Sequence, residues 1–133
     1  MQAIIRNALV SAINDKFVTA YPGIPIVYDN APFDRNSPPP IWVEYEIKFA
    51  GARQVSLGFI PKTRVHGFLY VTVWARDGTG TKNSLTMLDW FSSQLGYIAF
   101  GGVNLRAAEP VGGKGPAGWH IEQIKLYFYS DPA

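Results

Sequence analysis

The chain has 133 residues with a net charge of +2, and 47% of it is hydrophobic, 14% aromatic and 17% charged. That length fits one compact domain. The charge is too small for a protein that grips duplex nucleic acid through many Lys–phosphate or Arg–phosphate contacts. Hydrophobicity this high excludes disorder, and the absence of cysteine excludes disulfides, thiolate catalysis and Cys-ligated zinc. Charge lies below the roughly 25% of an average domain and rings take its place, which predicts an unusually apolar surface. No apolar run reaches the roughly 18 residues of a membrane span, and the N-terminus lacks the basic-then-apolar order of a signal peptide, so a soluble, cytoplasmic protein is expected.

Residues 1–20 place Ile5, Leu9, Ile13 and Phe17 at four-residue spacing, the apolar stripe of an amphipathic helix that Pro22 and Gly23 end. A short strand over 24–28 carries Pro25 and therefore suits an edge. Residues 29–40 form a polar connection stiffened by Pro38, Pro39 and Pro40. Alternation over 41–48 then predicts a strand with Ile41, Val43, Tyr45 and Ile47 on one face and Trp42, Glu44, Glu46 and Lys48 on the other. Residues 49–62 read as a long loop or hairpin arm, about 49–64 at its widest.

The strongest strand signal spans 65–76. Val65, Leu69, Val71, Val73 and Ala75 alternate with Phe68, Tyr70, Thr72 and Trp74. Both faces are apolar, so each needs cover. A turn over 77–80 leads, with Thr79 or Thr81 as cap, into a helix ending at Leu95 with the expected buried stripe Leu85, Leu88, Phe91 and Leu95. Residues 97–107 read as strand, Gly-Gly turn, strand. A glycine-rich loop over 111–118 leads to a last strand over 119–129, with Ile124, Leu126 and Phe128 opposite Lys125, Tyr127 and Tyr129. The order lacks βαβ alternation and predicts an α+β domain, two helices packed on a largely antiparallel or mixed sheet with a long loop or hairpin arm.

No catalytic constellation emerges. His66 and His120 have no metal-ligand spacing to another ligand and read as structural or exposed. Glu44 and Glu46 imitate a carboxylate pair, but a solvated or interfacial face explains them better. The glycines at 78 and 80 precede a helix, where backbone N–H groups attract anions, yet their spacing is no P-loop, and the 112–118 loop precedes a strand. Arg53, Lys62 and Arg64 give the arm a weak positive charge. The feature that stands out is the ring-bearing face of Phe68, Tyr70 and Trp74, with Trp42 on the neighbouring strand. Two readings of it stay open: cover by the arm within one chain, or a subunit interface, whose core favours aromatics over charge.

The ordered features also carry a family resemblance. The N-terminal helix followed by Tyr28-Asp29-Asn30-Ala31-Pro32-Phe33-Asp34 and Pro38-Pro39-Pro40-Ile41-Trp42-Val43-Glu44-Tyr45 resembles the start of tail terminator (tail completion, minor tail protein U-like) proteins of long-tailed bacteriophages. Gly67 to Ala75 with Gly78-Thr79-Gly80, and Gly118-Trp119-His120, resemble that family's central strand and turn and its last strand. The likeness covers residues 1–133 as a single tail-terminator-like domain. It implies a non-enzymatic structural protein without cofactor or metal, whose partners are itself in a usually hexameric ring, the tail tube protein and a head-completion or connector protein. DNA would only pass through the lumen, and no membrane is involved. The location implied is the virion tail, reached from the host cytoplasm. The patch Trp42, Phe68, Tyr70 and Trp74 is inferred from strand faces as the subunit interface, and Arg53, Lys62 and Arg64 as a lumen or latch arm. Another ring-forming connector or tail component, and a small ligand-binding α+β domain using the glycine loops, are the alternatives.

Overall fold

A computed structural model describes residues 2–28, 41–54, 63–76, 82–111, 115 and 118–131. Lys62, the turn at 77–81, the run Pro38 to Pro40 and most of the glycine-rich 111–118 loop lie outside the described residues. The described elements are α1 (Gln2–Ala20), β1 (Ile26–Tyr28), β2 (Ile41–Gln54), β3 (Thr63–Arg76), α2 (Lys82–Leu95), β4 (Ala99–Phe100), β5 (Val103–Val111) and β6 (Trp119–Ser130).

The six strands form one sheet in the order β1-β2-β3-β6-β5-β4. Every pair is antiparallel except β1 and β2, which run parallel. This corrects the α+β expectation: the molecule is β-rich, two helices against a curled, mixed, half-barrel sheet, with 54 strand residues against 33 helical ones among the described residues. The difference lies mainly in residues 49–54. There β2 runs on beside β3 as far as Gln54, with a bulge between Phe49 and Gly51, so the near part of the expected arm is a continuing hairpin. A bulge admits an extra residue without ending the ladder, and it breaks the strict alternation by which a strand is recognised. For the same reason β5 runs to Val111 rather than stopping at 107, through an irregularity between Leu105 and Ala108.

Both helices pack on one sheet face. Ile5, Leu9, Ile13 and Phe17 of α1 are buried in one cluster with Val43 and Tyr45 of β2, Leu69, Val71 and Val73 of β3, and Ile124, Leu126 and Phe128 of β6. The four-residue stripe of α1 therefore does what its periodicity requires. The Tyr45 hydroxyl, above that core, donates to Asn14 Oδ1 at 3.1 Å and ties α1 to β2. Helix α2 sits rotated from the expected stripe: Leu85 is 46% exposed, while Ser84, Met87, Leu88, Phe91 and Leu95 turn inward. The aromatic contact of Phe91 with Phe17, stacked at 5.5 Å, helps set that rotation. Position 67 in β3 must be glycine. A Cβ there would meet the Lys48 carbonyl oxygen and come within 2.8 Å of the Phe128 ring.

Candidate interaction surface

Alternation sends every second residue of β2, β3 and β6 away from the helices. Registers place these residues in rows across the sheet: Trp42 beside Trp74 beside Ile121, Glu46 beside Tyr70 beside Lys125, Lys48 beside Phe68 beside Tyr127, with His66 beside Tyr129. No described helix or strand lies over this face, because both helices occupy the other one.

Three tryptophans gather at one end. Trp42 and Trp74 stack at 4.9 Å with planes 7° apart, and Trp119 meets them edge-on at 6.4 and 6.2 Å. Offset stacking and edge-to-face contact are the favoured aromatic geometries. Trp42 is only 2% exposed, whereas Trp74 and Trp119 are half-buried. Trp74 Nε1 is buried and has no hydrogen-bond partner among the described residues.

Farther along, Phe68, Tyr70, Tyr127 and Tyr129 form a chain of tilted or edge-on contacts between 5.7 and 6.4 Å, with His66 5.9 Å from Tyr127. Cations cover part of these rings: Lys48 Nζ lies 5.6 Å from the Tyr70 centroid and Lys125 Nζ 5.4 Å from that of Phe68. The same lysines face carboxylates, Lys48 to Glu46 at 3.7 Å and Lys125 to Glu109 at 3.8 Å. The surface is thus ring-rich but locally charge-balanced, a composition suited to packing against protein more than to gripping a phosphate backbone. Between the two ring groups, Gln123 Nε2 donates to Thr72 Oγ1 at 2.8 Å.

At the far end Arg64 makes two hydrogen bonds to the Asp131 carboxylate, 2.7 and 3.0 Å, and lies 4.3 Å from the Tyr129 ring centroid. Hydrogen bonding to Arg64 holds the Asp131 carboxyl below its ordinary value, and the same bond raises Arg64. Arg106 approaches Tyr129 as well, at 5.2 Å.

The structure brings Trp42, Phe68, Tyr70 and Trp74 onto one face, in two groups with Thr72 between them. Of the arm residues, Arg53 and Arg64 sit directly opposite one another in the β2–β3 ladder, Arg53 exposed and Arg64 engaged by Asp131, while Lys62 lies outside the described residues. Sequence reasoning missed Trp119, Tyr127 and Tyr129 as members of this surface. Their alternation along β6 is legible, but only the pairing of β6 with β3 puts them beside Phe68 and Trp74.

Of the chemical candidates, Glu44 and Glu46 do share a face, and Glu46 faces Lys48. His120 Nε2 lies 2.8 Å from Glu122 Oε1 on the opposite face. Among the described residues no group of three His, Cys, Asp or Glu side chains could hold a metal ion. No helix among them is long and apolar enough to cross a membrane.

No protein-family model matches the chain. No curated protein matches it. Eleven chains of solved structures do match. One superposes on 100% of this chain and 96% of its own length with a TM-score of 0.69 at 18% sequence identity. Identity that low carries the fold and not the function.

Proposed function

We propose that this chain is a non-enzymatic assembly subunit whose copies close into a ring, in the manner of the tail terminators of long-tailed phages. In that role the ring caps a tail tube, stops its polymerisation and offers a surface to a head-completion or connector protein, with DNA only passing through. The observation that supports this reading is the helix-free sheet face. Phe68, Tyr70, Trp74, Trp119, Tyr127 and Tyr129 stand there half-buried with no described element over them. Contiguous apolar patches of this kind mark surfaces that another protein covers, and Trp and Tyr are the residues that carry interface energy. Trp42, Phe68, Tyr70 and Trp74 belong to the face covered on assembly, and Arg53, exposed near the end of β2, meets a neighbour or faces a lumen.

Sedimentation across concentration, with negative-stain imaging before and after addition of tail tube protein, tests the reading. Rings, or capped tubes of fixed length, are expected. A chain that stays monomeric and leaves tube growth unchanged overturns it. Phe68→Glu combined with Tyr70→Glu should abolish association while leaving the circular dichroism of the subunit unchanged. Normal assembly by that variant would remove this face from the contact.

A further inference from the structure

The two edges of the sheet are complementary to one another. On one side β1 covers only Val43–Tyr45 of β2, so residues 46–54 present an unpaired outer edge among the described residues. On the other side β4 pairs with Val103 and Asn104 of β5; Ile98 and Tyr97 reach Leu105 and Arg106, and residues 107–111 have no outer partner among the described residues. Long open edges are templates for pairing with another strand, and proteins normally blunt them. Here Ala50, Gly51 and Ala52, small and exposed, line the β2 edge and leave room for a second backbone.

The two short strands do not lie at the same height on the sheet. Following the register across, Asn104 aligns with Tyr129, His66 and Gly51, and Val103 with Ser130, Val65 and Ala52. Strand β4 therefore sits level with Gly51 and Ala52, where the β2 edge is bare. Strand β1 sits level with residues 43–45, and this height on the other edge is that of Pro110 and Val111, where β5 is bare. Among the described residues, each edge carries a half-strand at the height where the opposite edge lacks one.

Polarity agrees with this. Successive antiparallel pairings make β5 antiparallel to β2, and β1 and β4 both run in the β2 direction. When two copies stand side by side in the same orientation, β1 of one and β4 of the next fit end to end in a single row between β2 and the neighbour's β5. β1 then adds to the neighbour's β5 as an antiparallel partner, and β4 adds to the neighbouring β2 as a parallel one. The first is an antiparallel ladder in which Pro110 has no N–H to give, and the second is an ordinary parallel one. The contact uses a different surface on each copy, so it repeats in one direction and closes only by rotation, as a ring requires.

From this geometry we infer that a second copy of this chain docks edge to edge, its β4 filling the open half of β2 while β1 fills the open half of the neighbour's β5. The inference rests on the ring reading and specifies its lateral joint. It differs from that reading in where the contact lies, on backbone edges in addition to the aromatic face.

A cysteine pair tests it in a chain that has no cysteine of its own. Gly51→Cys is tolerated sterically, since its Cβ would lie 3.5 Å from His66 Nε2, an ordinary contact, and Ala99 is exposed. Within one chain these positions are four strand spacings apart, about 19 Å along the sheet or roughly 12 Å across a half-circle of that arc, beyond the about 7 Å that a disulfide spans. Mild oxidation of the double variant should shift most of the protein into a reducible ladder of covalent multimers, while each single variant stays uncrosslinked. A dimer from Gly51→Cys alone or Ala99→Cys alone would show an edge meeting its own copy and overturn the inference. Rings in the imaging experiment without crosslinks would overturn the edge joint and leave the ring reading standing. A chain monomeric by sedimentation and without crosslinks would end both.

Discussion

Replacing Trp42 by Ala separates what the aromatic face does for the subunit from what it does for an assembly. Trp42 is 2% exposed, stacks flat on Trp74 at 4.9 Å and takes the edge of Trp119 at 6.4 Å, so its ring is largely enclosed within one chain. Truncating a large buried aromatic costs about 3 to 5 kcal/mol, the sum of lost transfer energy and the cavity left behind. Tyr70 lies on the same face but is half-buried, touching Phe68 at 6.2 Å and Lys48 at 5.6 Å, and Tyr70→Ala should cost about 1 kcal/mol or less. Urea unfolding followed by circular dichroism, at protein concentrations low enough to keep the chain monomeric, reads both values. The order should reverse in an association assay at permissive temperature, where Tyr70→Ala is the more damaging change. A double-mutant cycle of Trp42 with Trp74 should show coupling of about 0.5 to 1.5 kcal/mol. Equal unfolding midpoints for Trp42→Ala and Tyr70→Ala would refute the enclosed stack, and with it the division of this face into a structural end and an exposed end.

Three further outcomes follow from individual contacts. Tyr45→Phe removes the hydroxyl that donates to Asn14 Oδ1 at 3.1 Å and should lower stability by about 1 kcal/mol, read as a shift in urea midpoint without change in slope. Gly67→Ala puts a methyl group against the Lys48 carbonyl and the Phe128 ring. It should cost about 1 to 3 kcal/mol or more because neither neighbour can withdraw without opening the sheet, and a wild-type midpoint would show that β2 and β6 give way easily there. The depressed carboxyl of Asp131 means that its pairing with Arg64 stabilises the fold above the ordinary Asp value near ~4 and that this contribution is lost as pH falls through the lower folded value. Asp131→Asn should therefore lower the urea midpoint slightly at pH 7, and the difference from wild type should shrink as pH falls through the lowered folded value and the wild-type carboxyl takes up its proton. A difference that persists in acid would assign the effect to packing.

Local periodicity carried much of the fold but not its class. The α1 stripe of Ile5, Leu9, Ile13 and Phe17 could be read because a solvent-facing helix must repeat its apolar residues every three to four positions, and all four are buried. Residues 49–54 could not, because the bulge after Phe49 interrupts the two-residue period and Ala50, Gly51 and Ala52 have no hydrophobic signature. That stretch, expected as a loop or hairpin arm, continues β2 as strand and helps shift the molecule from α+β to β-rich. The rotation of α2 was equally hidden. Leu85 and Met87 are both apolar, and contacts with α1 and the sheet decide which of them is buried.

Composition and two-residue alternation are local properties, and from them it could be read that rings replace charge on this chain and that β3 carries a second apolar face needing cover. That this face runs on across β2 and β6 depends on strand order, which is set by which edges pair: the pairing of β3 with β6 puts Tyr127 beside Phe68, Tyr129 beside His66, and Trp119 against Trp42 and Trp74. Tertiary structure alone also fixes the heights of β1 and β4 on opposite edges, since register is a relation between segments far apart in the chain.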